Sequence, residues 1–559
     1  MERHFIQRRG GDLLSLLTLA VCSFLYLKGY AQAIDLDPWD EAYYIAASHS
    51  AEAAWRGPGW SQGYILFYRM LRLFWPSSIE VYYASALLQT AGLSFVIYLV
   101  ARRMRVSAIW SLVAAFFTLI ATVQLEYTNK VNHFNAIVYG LLFLGATYLR
   151  HELARAALIA FASLVLVYLR QENLLYGIGF LAYAVWLALK SSPDRRRGIV
   201  RAMALGLAFA AGYTVTQNVN SPFEPERTWS TFADHYCWRR YDRGVPGCFR
   251  NNNETEAQKI FGGSRSVVQA TVGNPREMSA HLLANVRDLP GSFFGAFTQH
   301  YPLIPDAGKN AWKSSPLEVA LIALLFAGLL LGAWLTEPVP MDRGRRPSLG
   351  DRFAGVTGFE RLALVLGIGF IVKSVLLTTM LSPWTRYHLE PVLFAYVWLA
   401  WAMDRFAFHL SASRWATGLV ALLLLAMCPS VRTGGSAQPV KLVAEAVNGL
   451  PGLKNVFADF PPVLYGKGDH RRWSPLHYDR ELRQGHVTSF GDFLERHSVD
   501  AVLLNQAASA SIAGVDERLF VKDRRPLLVQ AREMGYLPQL GLPDGTVLLV
   551  RPRSIASTR

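Results

Sequence analysis

Long apolar stretches alternate with short polar ones over most of the chain. Runs near the 17 to 25 residues that cross about 30 Å of hydrocarbon fall at about 13–34, 80–101, 107–125, 134–149, 155–169, 173–190, 199–217, 316–335, 361–381, 389–403 and 415–431. The pattern predicts about eleven transmembrane helices. Three stretches interrupt it. Residues 35–79 form a first loop in which Gly63 to Trp75 reads as an interfacial helix, with Tyr64, Phe67, Tyr68, Leu71 and Phe74 on one side. Residues 218–315 form a much longer second loop. In residues 432–559 the pattern shortens to strand-like runs at 501–505 and 545–550 and helix-like segments at about 439–448 and 489–497, a small α/β unit. The domain division is thus a membrane module over 1–431 and a terminal domain over 432–559.

Composition agrees. Of 559 residues 52% are hydrophobic and only 17% charged, with 15 Trp and 24 Tyr, which excludes an ordinary soluble enzyme. The net charge of +15 has a topological explanation. Arg102, Arg103, Arg105, Arg150, Arg155, Arg195, Arg196, Arg197, Arg345, Arg346 and Arg361 fall in alternate segments, whereas the intervening short loops hold few cations. The positive-inside rule then places the N-terminus in the cytoplasm and, with an odd number of spans, the terminal domain outside. Basic residues scattered in this way give no stripe for nucleic acid. A basic start followed by Ala31-Gln-Ala33 has some look of a cleavable signal, but the run from Leu13 to Ile34 is longer than a usual signal core and is read as a span.

Candidate chemistry concentrates just after that span, where Asp35, Asp37, Asp40 and Glu41 follow one another. Charges at the centre of a bilayer cost roughly 2.5 to 3.5 kcal/mol on insertion scales, so such acids belong at mouths and cavities. Asp37-Pro38 reads as a helix start, with Asp37 as N-cap and Pro38 in the first turn. Asp40 then falls where an acid also closes a capping box. Successive helical residues point about 100° apart, so Asp40 and Glu41 require different roles, with Tyr44 on the Asp40 side. In the long loop Cys237 and Cys248 enclose a short segment, as expected of a disulfide in an oxidising compartment. Cys22 and Cys428 lie in apolar spans and read as inert packing residues.

The run Trp39-Asp-Glu-Ala-Tyr-Tyr-Ile-Ala-Ala47 resembles the first outer loop of GT-C fold glycosyltransferases, the group of protein O-mannosyltransferases, lipid A aminoarabinose transferases and lipopolysaccharide-core sugar transferases. Arg170-Gln-Glu-Asn173 is similar to the Arg-x-Glu element of that group, and Arg386-Tyr-His-Leu-Glu-Pro391 to its Arg-Tyr-x-x-x-Pro element. The first loop departs from the group at Arg56-Gly-Pro-Gly-Trp60, where relatives often carry His-Pro-Pro or Lys-Pro-Pro, and metal use and acceptor choice stay open.

The resemblance implies an enzyme of the bacterial cytoplasmic membrane. It would move a sugar from a polyprenyl-phosphate donor to a hydroxyl on a cell-envelope glycan, lipid or protein at the outer face. Asp40 is expected to be the general base, with Glu41 orienting the helix, the acceptor or a cation. Arg386 and Tyr387, then Arg170 and Lys130, are expected at the donor phosphate, where charge develops as the glycosyl bond breaks. Asp37, Tyr44, Glu172, His133 and Lys373 are expected in support. One base and no carboxylate nucleophile imply inversion. No cofactor is indicated beyond a divalent cation at Asp40 and Glu41, which stays open. A flippase for lipid-linked sugars and an oligosaccharide ligase are the alternatives.

Overall fold

The computed structural model describes residues 2–36, 40–52, 61–121, 130–192, 194–219, 225–242, 253–298, 358–381, 385–406, 414–428, 438–450, 453–458, 471–473, 477–478, 481–482, 484–505, 527–541 and 546–552. Ten of the eleven apolar stretches are helices: Glu2–Leu27, Ser78–Arg103, Ala108–Ile120, Val131–Ala146, Glu152–Leu166, Asn173–Ser191, Arg195–Val219, Gly358–Met380, Leu389–Phe406 and Arg414–Met427. The eleventh, 316–335, lies outside the described residues. Among the described residues five helices are long and apolar enough to cross a membrane unaided: Gly10–Ala33, Ser78–Arg103, Asn173–Ser191, Arg195–Asn218 and Gly358–Met380. Leucines and valines such as Leu17, Leu207 and Val375 stand outward on these helices, as they do where lipid is the solvent.

Polar contacts gather at the two ends of the bundle. At one end Arg102 Nε donates to Asp12 Oδ1 at 2.6 Å and Arg361 Nη2 to Glu152 Oε2 at 2.7 Å. Arg103 and Arg155 lie over the Phe359 ring at 5.2 and 4.1 Å, and Asp404 accepts the Ser107 N–H at the start of Ala108–Ile120. Each cation therefore has a carboxylate or an aromatic face beside it. The acid-bearing helix Asp40–Ala47 lies at the opposite end.

The first loop folds as Asp40–Ala47 followed by Gln62–Leu71. The interfacial helix is shorter than expected and turned differently. Tyr64, Ile65, Tyr68 and Leu71 are buried in the protein, whereas Phe74 lies beyond the helix and is 74% exposed, beside exposed Met70 and Leu73. The tyrosines turn inward because their hydroxyls have a buried carboxylate to reach.

The described residues of the long loop form four helices, Pro225–Asp242, Asn253–Ile260, Val267–Gly273 and Pro275–Thr298, around Trp229, Phe232, Tyr236, Phe261 and Met278. Its last helix closes the end of Gly358–Met380: Asn285 Nδ2 donates to Thr379 O at 2.9 Å and to Leu381 O at 3.1 Å, and His281 Nε2 is hydrogen-bonded to Met380 O. Carbonyls that end a helix have no partner within it, and these receive theirs from the loop.

The terminal region forms one five-stranded sheet in the order β2-β1-β3-β5-β4, from β1 (Asn455–Ala458), β2 (Arg471–Trp473), β3 (Ala501–Asn505), β4 (Leu537–Gly541) and β5 (Thr546–Val550). β1 pairs with β2 and β3 in parallel, and β5 pairs antiparallel with β3 and β4. Alternation sorts the side chains. Val456, Ala458, Ala501, Leu503, Leu548 and Val550 meet Val443 and Val447 of helix Pro439–Gly449, while Phe457, Val502, Leu504 and Leu549 meet Phe490, Phe493 and Leu528 on the other face. A sheet covered on both faces explains why β3 and β5 read as unbroken apolar runs.

This sheet region is tied to the first loop by one carboxylate. Asp35 accepts the N–H of Val440 at 3.0 Å and of Lys441 at 2.9 Å, capping the first turn of Pro439–Gly449. Gln438 Nε2 donates to Ala31 O and Ile34 O, and Lys441 Nζ to Ala31 O at 3.0 Å.

Candidate functional site

Helix Asp40–Ala47 buries Glu41, Ala42, Tyr44 and Ile45 and leaves Asp40 half-buried. The two consecutive acids thus face different surroundings. Residues 37–39, with the expected N-cap Asp37, lie outside the described residues.

Glu41 is fully buried and held on both oxygens. Oε2 accepts the hydroxyls of Tyr64, at 3.1 Å, and of Tyr68. Oε1 accepts the backbone N–H of Lys130 at 2.6 Å, so the carboxylate caps the start of helix Val131–Ala146 from 89 residues away. A helix N-terminus presents unpaired N–H groups and partial positive charge, which suit an anion. Tyr64 also accepts from Gln89 Nε2 at 2.9 Å, and Tyr44 packs edge-on against the Tyr64 ring at 5.3 Å. Tyr44 therefore belongs to an aromatic wall with Tyr64, Phe67, Tyr68 and Phe134.

Two arginines hold the other end of the acid helix. Arg72 donates to Ile45 O at 3.0 Å, Ser48 Oγ at 2.7 Å and Ser78 Oγ at 2.9 Å, and Arg69 donates to His49 O at 3.1 Å. Burial pulls the Arg72 guanidinium down to about 10, which leaves it charged at neutral pH. Cations at a helix C-terminus are favourable for the same dipolar reason that Glu41 suits an N-terminus.

Lys130 and His133 are buried, 1% and 3% exposed. Lys373 does not snorkel: it is 1% exposed and pairs with Glu390 Oε1 at 2.6 Å. Asn135 Nδ2 donates to the same oxygen at 3.0 Å, and Asn173 Nδ2 donates to Asn135 Oδ1 at 2.8 Å. Lys373 Nζ also lies 5.7 Å from the Tyr176 ring centre.

Arg170 donates from Nη2 to Glu172 Oε1 at 2.9 Å, while its buried Nε has no hydrogen-bond partner among the described residues. Burial opposes its charge, but Glu172, Tyr44, Tyr387 and Glu390 outweigh that and raise its pKa. Burial likewise opposes the Glu172 carboxylate, and Arg170 and Lys373 more than offset it, holding the group below the usual range. Hydrogen bonds join the same elements: Glu41 caps helix Val131–Ala146, and Asn135 of that helix links Asn173 of the Arg-x-Glu turn to Glu390, which follows the short 3-10 helix Thr385–His388 that carries Arg386 and Tyr387. The Arg386 side chain lies outside the described residues. Tyr387 is buried and its hydroxyl is hydrogen-bonded to His235 Nε2 of the long loop at 3.2 Å; its neighbour His388 meets Ser374 Oγ at 2.7 Å. Burial lowers the His388 pKa to about 3, so the imidazole is neutral.

Several of these residues escape a sequence reading. Glu390, Asn135, Asn173 and His235 are identified only by their partners, although a lysine inside an apolar span calls for a partner acid, and Glu390 is the nearest downstream. Among the described residues no group of three or more His, Cys, Asp or Glu is arranged to hold a metal. Both Glu41 oxygens face hydrogen-bond donors, so a divalent cation shared by Asp40 and Glu41 does not fit this donor set. Cys237 is buried with Sγ 3.6 Å from Asn253 O; its expected partner Cys248 lies outside the described residues.

No family model matches the chain, and no curated protein sequence does. Among solved structures the chain is similar to the crystal structure of ArnT from Cupriavidus metallidurans bound to undecaprenyl phosphate, at 13% identity and a TM-score of 0.36, over 97% of this chain and 98% of that one.

Proposed function

We propose that the chain is a membrane glycosyltransferase that moves a sugar from a polyprenyl-phosphate carrier to a hydroxyl acceptor at the outer face of the cytoplasmic membrane. The observation that carries this reading is that three distant motifs meet on helix Val131–Ala146: Glu41 of the acid helix caps its start, and its Asn135 joins Glu390 of the Arg-Tyr element to Asn173 of the Arg-x-Glu turn. The cations at the opposite end of the bundle, Arg102, Arg103, Arg155 and Arg361, support an orientation with that end in the cytoplasm and residues 432–559 outside.

In this reading Asp40, half-buried at the edge of the acid helix, takes the proton of the acceptor hydroxyl. The acceptor oxygen bonds to the anomeric carbon while the bond from that carbon to the phosphate oxygen breaks, and polyprenyl phosphate leaves with the electron pair. Arg386 and Arg170 face the charge that develops there, and fixed donors at such a point are worth roughly 3 to 4 kcal/mol. One displacement inverts the anomeric centre. Glu41, Arg69 and Arg72 position the helix and take no part in proton transfer. Lys373, paired with Glu390, keeps the floor of the site charged and dry, and Lys130 and His133 line its wall.

The test is turnover of purified protein on a panel of polyprenyl-phosphate sugars, beside Asp40→Asn and Arg386→Ala. Release of polyprenyl phosphate by the wild type, reduced at least 100-fold in both variants, is expected. A folded wild type that releases none from any donor, or a product that keeps the donor's anomeric configuration, would overturn the reading.

A further inference from the structure

We propose that Cys22 and Cys428 form a disulfide that staples the first spanning helix to the last. The two residues are 406 positions apart, yet Cys428 Sγ lies 3.5 Å from the carbonyl oxygen of Cys22. The two thiols also interact side chain to side chain. Helices Glu2–Leu27 and Arg414–Met427 pack along each other, with Cys22 in the penultimate turn of the first and Cys428 just past the end of the second. Their downstream segments stay together, since Gln438 Nε2 donates to Ala31 O at 3.2 Å and Ile34 O at 3.1 Å. A disulfide bridges Cα atoms up to about 7 Å apart, and the sulfur-to-carbonyl contact brings the two residues close to that range.

The inference rests on the outward orientation proposed above, in which Cys428, just past the end of its helix, lies on the side of the oxidising compartment. The oxidant is a protein disulfide of that compartment. Cys428, the more exposed of the two, attacks one of its sulfurs as the thiolate, forming a mixed disulfide and releasing the oxidant's other sulfur as a thiolate. The Cys22 thiolate then attacks Cys428 Sγ and displaces the oxidant sulfur bound to it. The chain gives up two protons and two electrons, and the oxidant leaves as a dithiol. The product fixes where the last span ends relative to the first, and so holds helix Pro439–Gly449 against Asp35.

The experiment uses the full-length wild type in membranes, with thiols blocked by N-ethylmaleimide before solubilisation, followed by digestion without reductant and mass spectrometry. A peptide containing Cys22 linked to one containing Cys428 is expected as the major form, converting to two separate peptides on reduction. Both cysteines recovered as maleimide adducts would overturn the proposal. Protease access to residues 432–559 in intact spheroplasts reports orientation separately. An accessible domain with alkylated thiols overturns the disulfide alone, and a protected domain with alkylated thiols overturns both readings. In a Cys237→Ser/Cys248→Ser background, reduction is expected to lower the melting temperature, and further Cys22→Ser substitution to abolish that sensitivity.

Discussion

Asp40 and Glu41 are consecutive residues with opposite surroundings. Glu41 has no exposure and accepts from two tyrosines and a helix N-terminus, whereas Asp40 is half-buried. Glu41→Gln keeps the volume but sets an amide N–H against donors, which costs about 1 to 3 kcal/mol when a buried group loses its partner. A lower melting temperature in detergent is therefore expected for Glu41→Gln, and an unchanged one for Asp40→Asn, which loses transfer instead. The opposite pattern, Glu41→Gln melting like wild type but inactive, would move Glu41 into the chemistry. None of this asymmetry is legible in the sequence beyond the 100° turn between neighbours. Which acid is walled in depends on Tyr64, Tyr68 and the Lys130 N–H, all supplied by other elements.

The elements themselves are far more legible. A stretch long enough to cross hydrocarbon has to satisfy its backbone internally, so apolar length alone identifies a helix, and ten of the eleven stretches are helices here. Strands β3 and β5 are also legible, because each is a continuous apolar run. β1 and β2 escape because four and three residues give too short a pattern, and β4 because Pro538, Gln539 and Gly541 break its apolar run beside a register shift. Pairing between elements is where the sequence falls silent. Lys373 and Glu390 sit on successive helices at 2.6 Å with 1% exposure each, and removing one partner of such a pair costs about 3 to 5 kcal/mol. Lys373→Met or Glu390→Gln alone should destabilise the protein, and Lys373→Met with Glu390→Leu should recover most of the loss. Unfolding curves of the four forms check this; silent single variants would mean that the pair is hydrated and not desolvated between the helices.

For the whole molecule the governing contact is the small one at Asp35. It joins the first loop to the helix that opens the terminal domain through two backbone N–H groups, with Pro439 at the start of that helix needing no partner of its own. Loss of such a cap is worth about 0.5 to 2 kcal/mol. Asp35→Ala should speed amide exchange at Val440 and Lys441 and leave the exchange of β3 unchanged. Equal exchange at Val440 and Lys441 in both proteins would show that the clasp does not hold the domain in place.

That clasp also sets an order of events. Asp35 leaves the ribosome early, but its partners Val440 and Lys441 come 405 and 406 residues later. At 5 to 20 residues per second the interval is roughly 20 to 80 s. For that time the acid helix is already in place without the domain that will adjoin it, so the mouth of the molecule is built open and is closed last.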